Sequence, residues 1–344
     1  MAAVRFVVAI AVLGLAACGQ RSGSDAEVWR FAIEEIEGSV QHAYAERFAE
    51  LVAQRTRGAV SVEVYPYGSI GTSAQVTEQV QSGALQLAFA SPGHLGSVIP
   101  EVQVFSLHFL LSDDEAVNRE VLSGKGGKYR RLLDEAYRER RLGLLAIVPE
   151  GWMVWTANKP LRTPDDFAGL KMRTMVSPLL VEAYAAYGAK PTPMPYGEVY
   201  GGLQLGMIDA QVNPVFAIEE MSFHEVQGYL TFAHHAPFIA TVVASPRFLE
   251  GLDSERRALL DGVVSELDTF ISRTQQRFND ERLEKILSEG GTRVVTLDDQ
   301  QKAAFRELSL AVRETYVDMA GERGRAILDS LQSAVEASKA AAGS

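Results

Sequence analysis

Apolar residues in the first hundred positions switch between two spacings. Apolar and polar residues alternate over 28–33 and 60–64, the pattern of a half-buried β-strand, and 85–90 is a third strand candidate. Between these segments, apolar residues recur at helical spacing over 40–52 and 73–81. Strand, helix, strand, helix, strand in this order predicts an α/β fold whose sheet is at least partly parallel.

The same alternation continues in the second half of the chain. Residues 144–148 are an apolar run of strand length, and 208–212 predicts a further strand. The segments 163–166 and 177–178 each place a capping hydroxyl directly before a proline, which is typical of a helix start. From about 254 to 287, apolar residues at helical spacing on a polar background predict one or two long helices that lie across the molecule.

The N-terminus has the features of an export signal. Arg5 precedes an uncharged apolar run that is shorter than the roughly 20 residues a membrane-spanning helix needs. Residues 15–18, Leu-Ala-Ala-Cys, resemble the lipobox of bacterial lipoproteins. We therefore expect a signal peptide at 1–17, a lipidated Cys18, and a polar tether over 18–27. The alternative is an ordinary signal peptide with an incidental cysteine.

Composition narrows the class of protein. The chain has 344 residues, of which 47% are hydrophobic, so it can form two or three domains with sizeable cores. Its formal net charge of −11 without a basic stripe disfavours nucleic acid as a partner. Cys18 is the only cysteine, so a disulfide within the chain and a multi-cysteine metal site are both excluded.

Motifs of catalysis and of cofactor binding are missing from the sequence. There is no GxGxxG after a strand, no GxSxG and no HExxH, and the glycine-rich segment 123–129 lacks the spacing of a phosphate-binding loop. Among the histidines only His234 and His235 are close in sequence, and adjacent residues on a strand point to opposite faces. We therefore predict no enzyme activity, no cofactor and no metal site.

Five segments resemble one family, and they occur in the family's order between about residues 29 and 320. The best match is TPDDFAGLKMR. The segments are 65–71, 104–111, 163–173, 188–200 and 209–214. Together they resemble the solute-binding subunit of TRAP transporters, the DctP-like family of C4-dicarboxylate-binding type.

The resemblance implies a two-lobed, periplasmic-binding-protein-like α/β fold with mixed sheets, hinge strands and a long hinge-spanning helix. Lobe I would comprise 28–150 and 239–279, and lobe II would comprise 151–238 and 280–335. A small organic acid would enter the cleft between them. Hinge closure would then present it to the small and large membrane subunits of the transporter.

Two polar residues are the principal ligand-binding candidates. Arg173 ends a short strand just before a helix start, and a guanidinium can pair with both oxygens of a carboxylate. In the resembled family the matching arginine grips the substrate carboxylate, and the matching asparagine, here Asn213, contacts the ligand. The alternatives are a surface ion pair of Arg173 with Asp165 or Asp166, and a turn-forming role for Asn213.

One departure from the family bears on the ligand. Members that bind sialic acid carry a second arginine where this chain has Met153. Trp152 and Trp155 flank that position, although strand alternation keeps the two tryptophans on opposite faces. These residues predict a monocarboxylate with a substantially apolar body.

Further ligand-wall candidates are Phe216, which follows the Asn-Pro turn, and Gln75 and Glu78 on the helix after residue 71. The predicted function is that of a periplasmic, lipid-anchored solute-binding lipoprotein of a TRAP transporter. The alternatives are a ligand-presenting subunit for a sensor kinase and a periplasmic enzyme.

Overall fold

The computed structural model describes residues 27–124 and 127–342. The predicted signal peptide and Cys18 lie outside the described residues. Strands and helices alternate along most of the chain. The strands are β1 (Glu27–Ala32), β2 (Val60–Tyr65), β3 (Leu87–Ala90), β4 (Gly143–Trp152), β5 (Val154–Ala157), β6 (Lys171–Thr174), β7 (Lys190–Pro193), β8 (Ala210–Asn213), β9 (Tyr229–Phe232), β10 (Pro237–Ala244) and β11 (Arg293–Thr296).

The helices range from single turns to the longest elements of the molecule. They are α1 (Val40–Thr56), α2 (Ser73–Ser82), α3 (Pro92–Leu95), α4 (Glu115–Ser123), α5 (Lys128–Glu139), α6 (Pro178–Ala185), α7 (Val199–Gln204), α8 (Val215–Glu220), α9 (Pro246–Gly251), α10 (Ser254–Glu289) and α11 (Asp299–Ala342). Short 3-10 helices occupy Pro100–Ser106, Pro164–Phe167, Tyr196–Glu198 and Phe223–Glu225.

Two mixed sheets form the centres of two lobes. The first has the order β2-β1-β3-β10-β4, in which β1 pairs in parallel with β2 and β3, and β10 is antiparallel to β3 and β4. The second has the order β11-β9-β5-β8-β6-β7, with β5 antiparallel to both neighbours. This two-lobed mixed α/β architecture confirms the predicted fold class.

Local chemistry explains where helix α1 begins and ends. The Ser39 side chain accepts a hydrogen bond from the backbone N–H of His42 at 3.0 Å, which satisfies one of the free donors of the first turn. At the other end Arg57 and Gly58 adopt left-handed conformations, and they stop the helix before β2. The apolar face of α1, including Tyr44 and Phe48, is fully buried against the first sheet.

The chain passes between the lobes at hinge segments. Met153 separates β4 of the first sheet from β5 of the second, and residues 233–236 join β9 to β10. Helix α10 packs against α1 and β4 of lobe I and against α8 of lobe II. A single helix of 36 residues therefore spans the hinge, as predicted.

One close approach fixes the hinge strand on this helix. Gly151 has a φ of 116°, and a β-carbon at this position would lie 2.4 Å from Nδ2 of Asn279. The Asn279 amide donates to the carbonyl oxygen of Glu150 at 3.0 Å, and its oxygen accepts from the N–H of Phe216 at 3.2 Å. One side chain of α10 therefore ties the hinge strand to the first turn of α8.

The C-terminal helix α11 is interrupted at Gly321, where the backbone is not helical. It packs against α4, α5 and the 3-10 helix Pro100–Ser106, and also against α6. The two lobes are thus bridged on a second side. The predicted division of the chain into lobes at 150, 238 and 279 stays a prediction.

Candidate ligand-binding cleft

A cavity with about 380 Å³ of empty space lies between the two lobes. We call it the clamp cavity. Lobe I and lobe II both contribute side chains to its wall. They are Glu34, Glu35, Gln41 and His94 from the first lobe, Arg173, Met175, Tyr196, Asn213, Pro214 and Ala217 from the second, and Phe238 beside the hinge.

Arg173 is the cation of this cavity. It stands on β6, its side chain is 1% exposed, and its Nε and Nη2 both donate to the carbonyl oxygen of Met194, at 3.0 and 2.9 Å. Its Nη1 is buried and has no hydrogen-bond partner among the described residues. Burial lowers the pKa of Arg173 to about 10, so the guanidinium is still charged at neutral pH. The arrangement leaves the edge formed by Nη1 and Nη2 for an anion.

The alternative of a surface ion pair for Arg173 does not hold. The Asp166 carboxylate instead caps the 3-10 helix Pro164–Phe167, because it accepts from the backbone N–H groups of Arg162 and Thr163, each at 2.8 Å. These hydrogen bonds contribute to lowering the pKa of Asp166.

Asn213 lies at the end of β8, next to β6, and is 6% exposed. Its Nδ2 donates to Oε1 of Gln211 at 2.5 Å, and Gln211 in turn donates to Thr156 at 3.1 Å. The Thr156 hydroxyl then donates to Gln227 at 3.0 Å. This chain of buried amides and hydroxyls fixes the orientation of Asn213 at the cavity wall.

The opposite wall is acidic, which the sequence pattern did not predict. Glu34 and Glu35 lie just beyond the end of β1, separated from Ala32 by one residue. Glu34 accepts from the N–H of Ser91 at 2.8 Å, and its other oxygen lies 2.8 Å from Nδ1 of His94. The signal was available, because ligands of α/β sheets bind at the carboxyl ends of parallel strands, where these two residues stand.

Glu35 belongs to a buried pair of carboxyl groups. It is hydrogen-bonded to Glu150. Gln41 donates to both groups, from its backbone N–H to Glu35 at 3.1 Å and from its Nε2 to Glu150 at 3.2 Å. A hydrogen bond between two carboxyl groups requires a proton on one of them. Burial raises the pKa of Glu35 to about 7, and burial together with the Glu35 charge raises the pKa of Glu150 well above its usual value.

The two lobes touch above the clamp cavity. The rings of Tyr67 and Tyr196 meet edge to face at 5.9 Å, and the N–H of Gly197 donates to the Tyr67 hydroxyl at 3.4 Å. On the hinge side, Met175 of lobe II packs against the backbone of Gly93 in lobe I. The structure is therefore that of a closed cleft.

Three other predicted ligand contacts lie at the hinge or in the core of lobe II. Met153 lines a neighbouring cavity, and Trp152 is half-buried and stacked on His234 at 4.8 Å. Trp155 is fully buried in the core of lobe II, where its Nε1 donates to the Tyr184 hydroxyl at 3.1 Å. The structure thus brings neither tryptophan to the clamp cavity.

Three further candidates are also away from the clamp cavity. Phe216 is fully buried in the core, because the turn of α8 directs its side chain inward. Gln75 is occupied as a helix cap, since its side chain accepts from the N–H of Thr72 at 2.9 Å. Glu78 is exposed on α2. Their positions in the sequence, after the Asn-Pro turn and on the helix after residue 71, could not distinguish the cleft from the core or the exposed surface.

Histidines do not assemble a metal site in the described ranges. No group of three or more His, Cys, Asp or Glu residues within 27–124 and 127–342 is arranged to hold a metal ion.

Across the same ranges, no helix is both long enough and apolar enough to cross a membrane.

A family model described as "Bacterial extracellular solute-binding protein, family 7" (DctP) matches residues 31–318. The chain belongs to this family. It is a TRAP-type periplasmic solute-binding protein, and the resemblance inferred from the five sequence segments is confirmed.

Named relatives of this solute-binding protein cover almost its whole length. The ectoine-binding periplasmic protein TeaA of Halomonas elongata is 38% identical over 328 residues, 95% of each chain. The ectoine/5-hydroxyectoine-binding periplasmic protein UehA of Ruegeria pomeroyi is 36% identical and is matched over 94% of this chain and 95% of its own. An apo, open TRAP periplasmic solute-binding protein from Marinobacter aquaeolei VT8 has 48% identity and a TM-score of 0.84, covering 89% of this chain and 99% of its own.

Proposed function

We propose that this TRAP solute-binding protein captures a small zwitterion of the ectoine type, with one carboxylate and one cationic group, and delivers it to the membrane subunits. The observation that carries the proposal is the pairing of opposite charges in one cavity. Arg173, with a buried and unpartnered Nη1, and the acidic pair Glu34 and Glu35 line the same closed cleft.

The carboxylate end of the solute pairs with Arg173. A carboxylate accepts two parallel hydrogen bonds from the Nη1 and Nη2 edge, and the amide of Asn213 contributes from the next strand. Because this edge is desolvated in the closed cleft, charge-assisted hydrogen bonds there are worth about 1.5–3 kcal/mol.

The cationic end pairs with Glu34 and Glu35. A second carboxylate in this position would face the Glu34 carboxylate, and the basic side chain beside it, His94, already lies against Glu34, so the added charge would be buried without a partner of its own. The acidic wall therefore favours a zwitterion over a dicarboxylate. Met175, Tyr196 and Phe238 supply the apolar surface for the body of the solute.

The relatives support the same class of ligand. TeaA and UehA are ectoine-binding proteins, and ectoine combines a carboxylate with a cationic cyclic amidine. We extend that class to this chain because the cavity offers one partner for each of the two charges. The monocarboxylate predicted from Met153 is compatible with this class, although Met153 itself lies outside the clamp cavity.

Delivery follows from closure of the cleft around the solute. Only the closed form lets both lobes touch one ligand, so the ligand shifts the population toward it, and the membrane subunits accept the solute from that form. A lipid on Cys18 would hold the mature protein at the membrane through the polar tether that precedes β1.

Thermal unfolding with a panel of solutes tests the ligand class. Ectoine at 100 times its Kd should add about 2.7 kcal/mol to the free energy of unfolding. Succinate, which replaces the cation by a second carboxylate, should give no shift. Glu34→Gln should weaken ectoine binding, and the exposed Glu78→Gln serves as its matched control. Stabilisation by succinate with no response to ectoine would contradict the zwitterion proposal.

A further inference from the structure

A second cavity adjoins the clamp cavity on the side of the hinge. It contains about 390 Å³ of empty space and reaches Met153 and the crossing segment at 235–239. Met175 and Phe238 line both cavities and so form the partition between them.

The second cavity has no Asp, Glu, Lys or Arg in its wall. Apolar side chains such as Phe105 and Leu180 provide much of the surface, and two histidines, His108 and His235, are among the polar groups. Burial lowers the pKa of His108 to about 3 and that of His235 well below its ordinary value, so both imidazoles are neutral at pH 7. The cavity therefore suits an uncharged group.

One of these histidines has a buried nitrogen without a hydrogen-bond partner among the described residues. Nε1 of Trp155, which can only donate, gives its hydrogen to the Tyr184 oxygen at 3.1 Å. The Tyr184 hydroxyl lies 3.3 Å from Nε2 of His235, to which it can donate its own hydrogen. A neutral imidazole that accepts at Nε2 carries its hydrogen on Nδ1. That Nδ1 is buried and has no partner among the described residues.

Met175 is the movable part of the partition. A β-carbon on Gly93 would lie 2.4 Å from the Met175 sulfur, so the thioether packs directly on bare backbone. Methionine is unbranched and adapts its rotamer to the space available. Truncation of this side chain would remove one of the two residues of the partition.

We propose that the second cavity is a compartment of the ligand site that accepts an uncharged, hydrogen-bond-accepting extension of the solute, next to the clamp cavity across Met175. The proposal rests on the function proposed above in one respect, since the charged end of the same solute would occupy the clamp cavity. An extension that carries a carbonyl oxygen would pair with Nδ1 of His235 while its apolar atoms contact Phe105 and Leu180.

Co-crystallisation with 2-pyrrolidinone tests the compartment independently of the clamp. This neutral lactam has an apolar body and a carbonyl acceptor but no charge for Arg173. We expect it in the second cavity of the wild type and of Met175→Ala, with its oxygen within hydrogen-bond distance of Nδ1 of His235. Leu180→Phe should exclude it, because the larger ring occupies the cavity. The three structures also show directly whether each variant folds. Water alone in the cavity of all three proteins would overturn the proposal.

Binding of three zwitterions connects the compartment to the clamp. Alanine has no extension, norvaline has an apolar one, and glutamine has an extension that ends in a carbonyl. We expect glutamine to bind the wild type at least tenfold more tightly than norvaline, and Leu180→Phe to abolish this preference. Equal affinity of all three for the wild type would contradict the compartment. If none of them binds while 2-pyrrolidinone occupies the cavity, the compartment is supported and α-amino acids are excluded as solutes of the clamp cavity, whose function the ectoine measurement decides separately.

Discussion

The carbonyl oxygen of Met194 lies 3.0 Å from Nε and 2.9 Å from Nη2 of Arg173, and it accepts hydrogen bonds from both. One backbone acceptor therefore fixes one edge of the guanidinium plane. The adjacent edge, whose Nη1 has no partner among the described residues, is thereby oriented without further ordering of the side chain, as the proposed carboxylate clamp requires.

Arg173→Lys should weaken binding of ectoine by roughly ten- to a hundred-fold, which corresponds to about 1.5–3 kcal/mol. A lysine ammonium cannot keep the Met194 contact and also present two parallel donors to a carboxylate. Calorimetry measures the affinity, with Arg162→Lys on the exposed surface as the matched control. Equal affinities for the wild type and Arg173→Lys would exclude the clamp.

Asn213→Asp should reduce affinity for a carboxylate more than Asn213→Ala does. Both variants remove the amide donor, but only aspartate places a negative charge in the cavity that holds Arg173, where it competes with the ligand carboxylate. Titration calorimetry on the two variants gives the comparison. A turn-forming role alone would instead make the two variants equivalent in binding.

The buried pair Glu35 and Glu150 should make stability depend on pH. Their pKa values are raised in the folded state, so their contribution is fully present below pH 4.5 and is lost as pH rises through about 7 for Glu35. The loss is at most about 1.4 kcal/mol per pH unit for each group. Urea unfolding of the ligand-free protein between pH 5 and 8 measures it.

Glu150→Gln separates the pH dependence due to the acid pair from that due to His108. The buried imidazole of His108 changes the stability with pH in the opposite direction. Its pKa is lowered in the folded state, so it contributes stability that grows as pH rises toward the ordinary histidine value. The fall in stability with rising pH should be smaller in Glu150→Gln than in the wild type, and unchanged in Glu78→Gln. Parallel pH profiles for all three proteins would argue against a shared proton.

Gly151→Ala should destabilise the protein by more than Gly169→Ala. Both glycines have positive φ, 116° and 72°, so both substitutions introduce backbone strain of about 1–3 kcal/mol. Only at Gly151 would the new β-carbon also collide with Asn279, at 2.4 Å, whereas nothing lies within 4 Å at Gly169. Urea denaturation measures the free energy of unfolding of the two variants. Equal losses of stability would show that the hinge strand moves away from Asn279 without a measurable loss of its own.

Cys18→Ser should abolish acyl labelling and leave an uncleaved precursor in cells, because in the proposed lipobox the cysteine is both the acceptor of the lipid and part of the processing signal. Metabolic labelling and the mobility of the protein on a gel provide the measurement. Normal processing of the variant would point to an ordinary signal peptide.

The sequence was most informative where a residue type has few alternative uses. Arg173 and Asn213 lie at or near the ends of strands in motifs of fixed order, and both line the clamp cavity. Trp155 and Phe216 were assigned to the cleft from chain position alone, but large apolar side chains are equally suited to the core, and tertiary packing decided between the two. Glu34 and Glu35 were not predicted as site residues, because a pair of acids after a strand is common on protein surfaces.

The contact between Tyr67 and Gly197 sets a limit on how fast a bound solute can leave. Arg173 is 1% exposed while the lobes touch, so a solute carboxylate bound to it would have no direct path to water. Dissociation then requires the lobes to separate first, and its rate constant cannot exceed the rate of opening. Solutes of different equilibrium affinity that hold the cleft shut equally well would share one residence time, and the membrane subunits would accelerate release by favouring the open form.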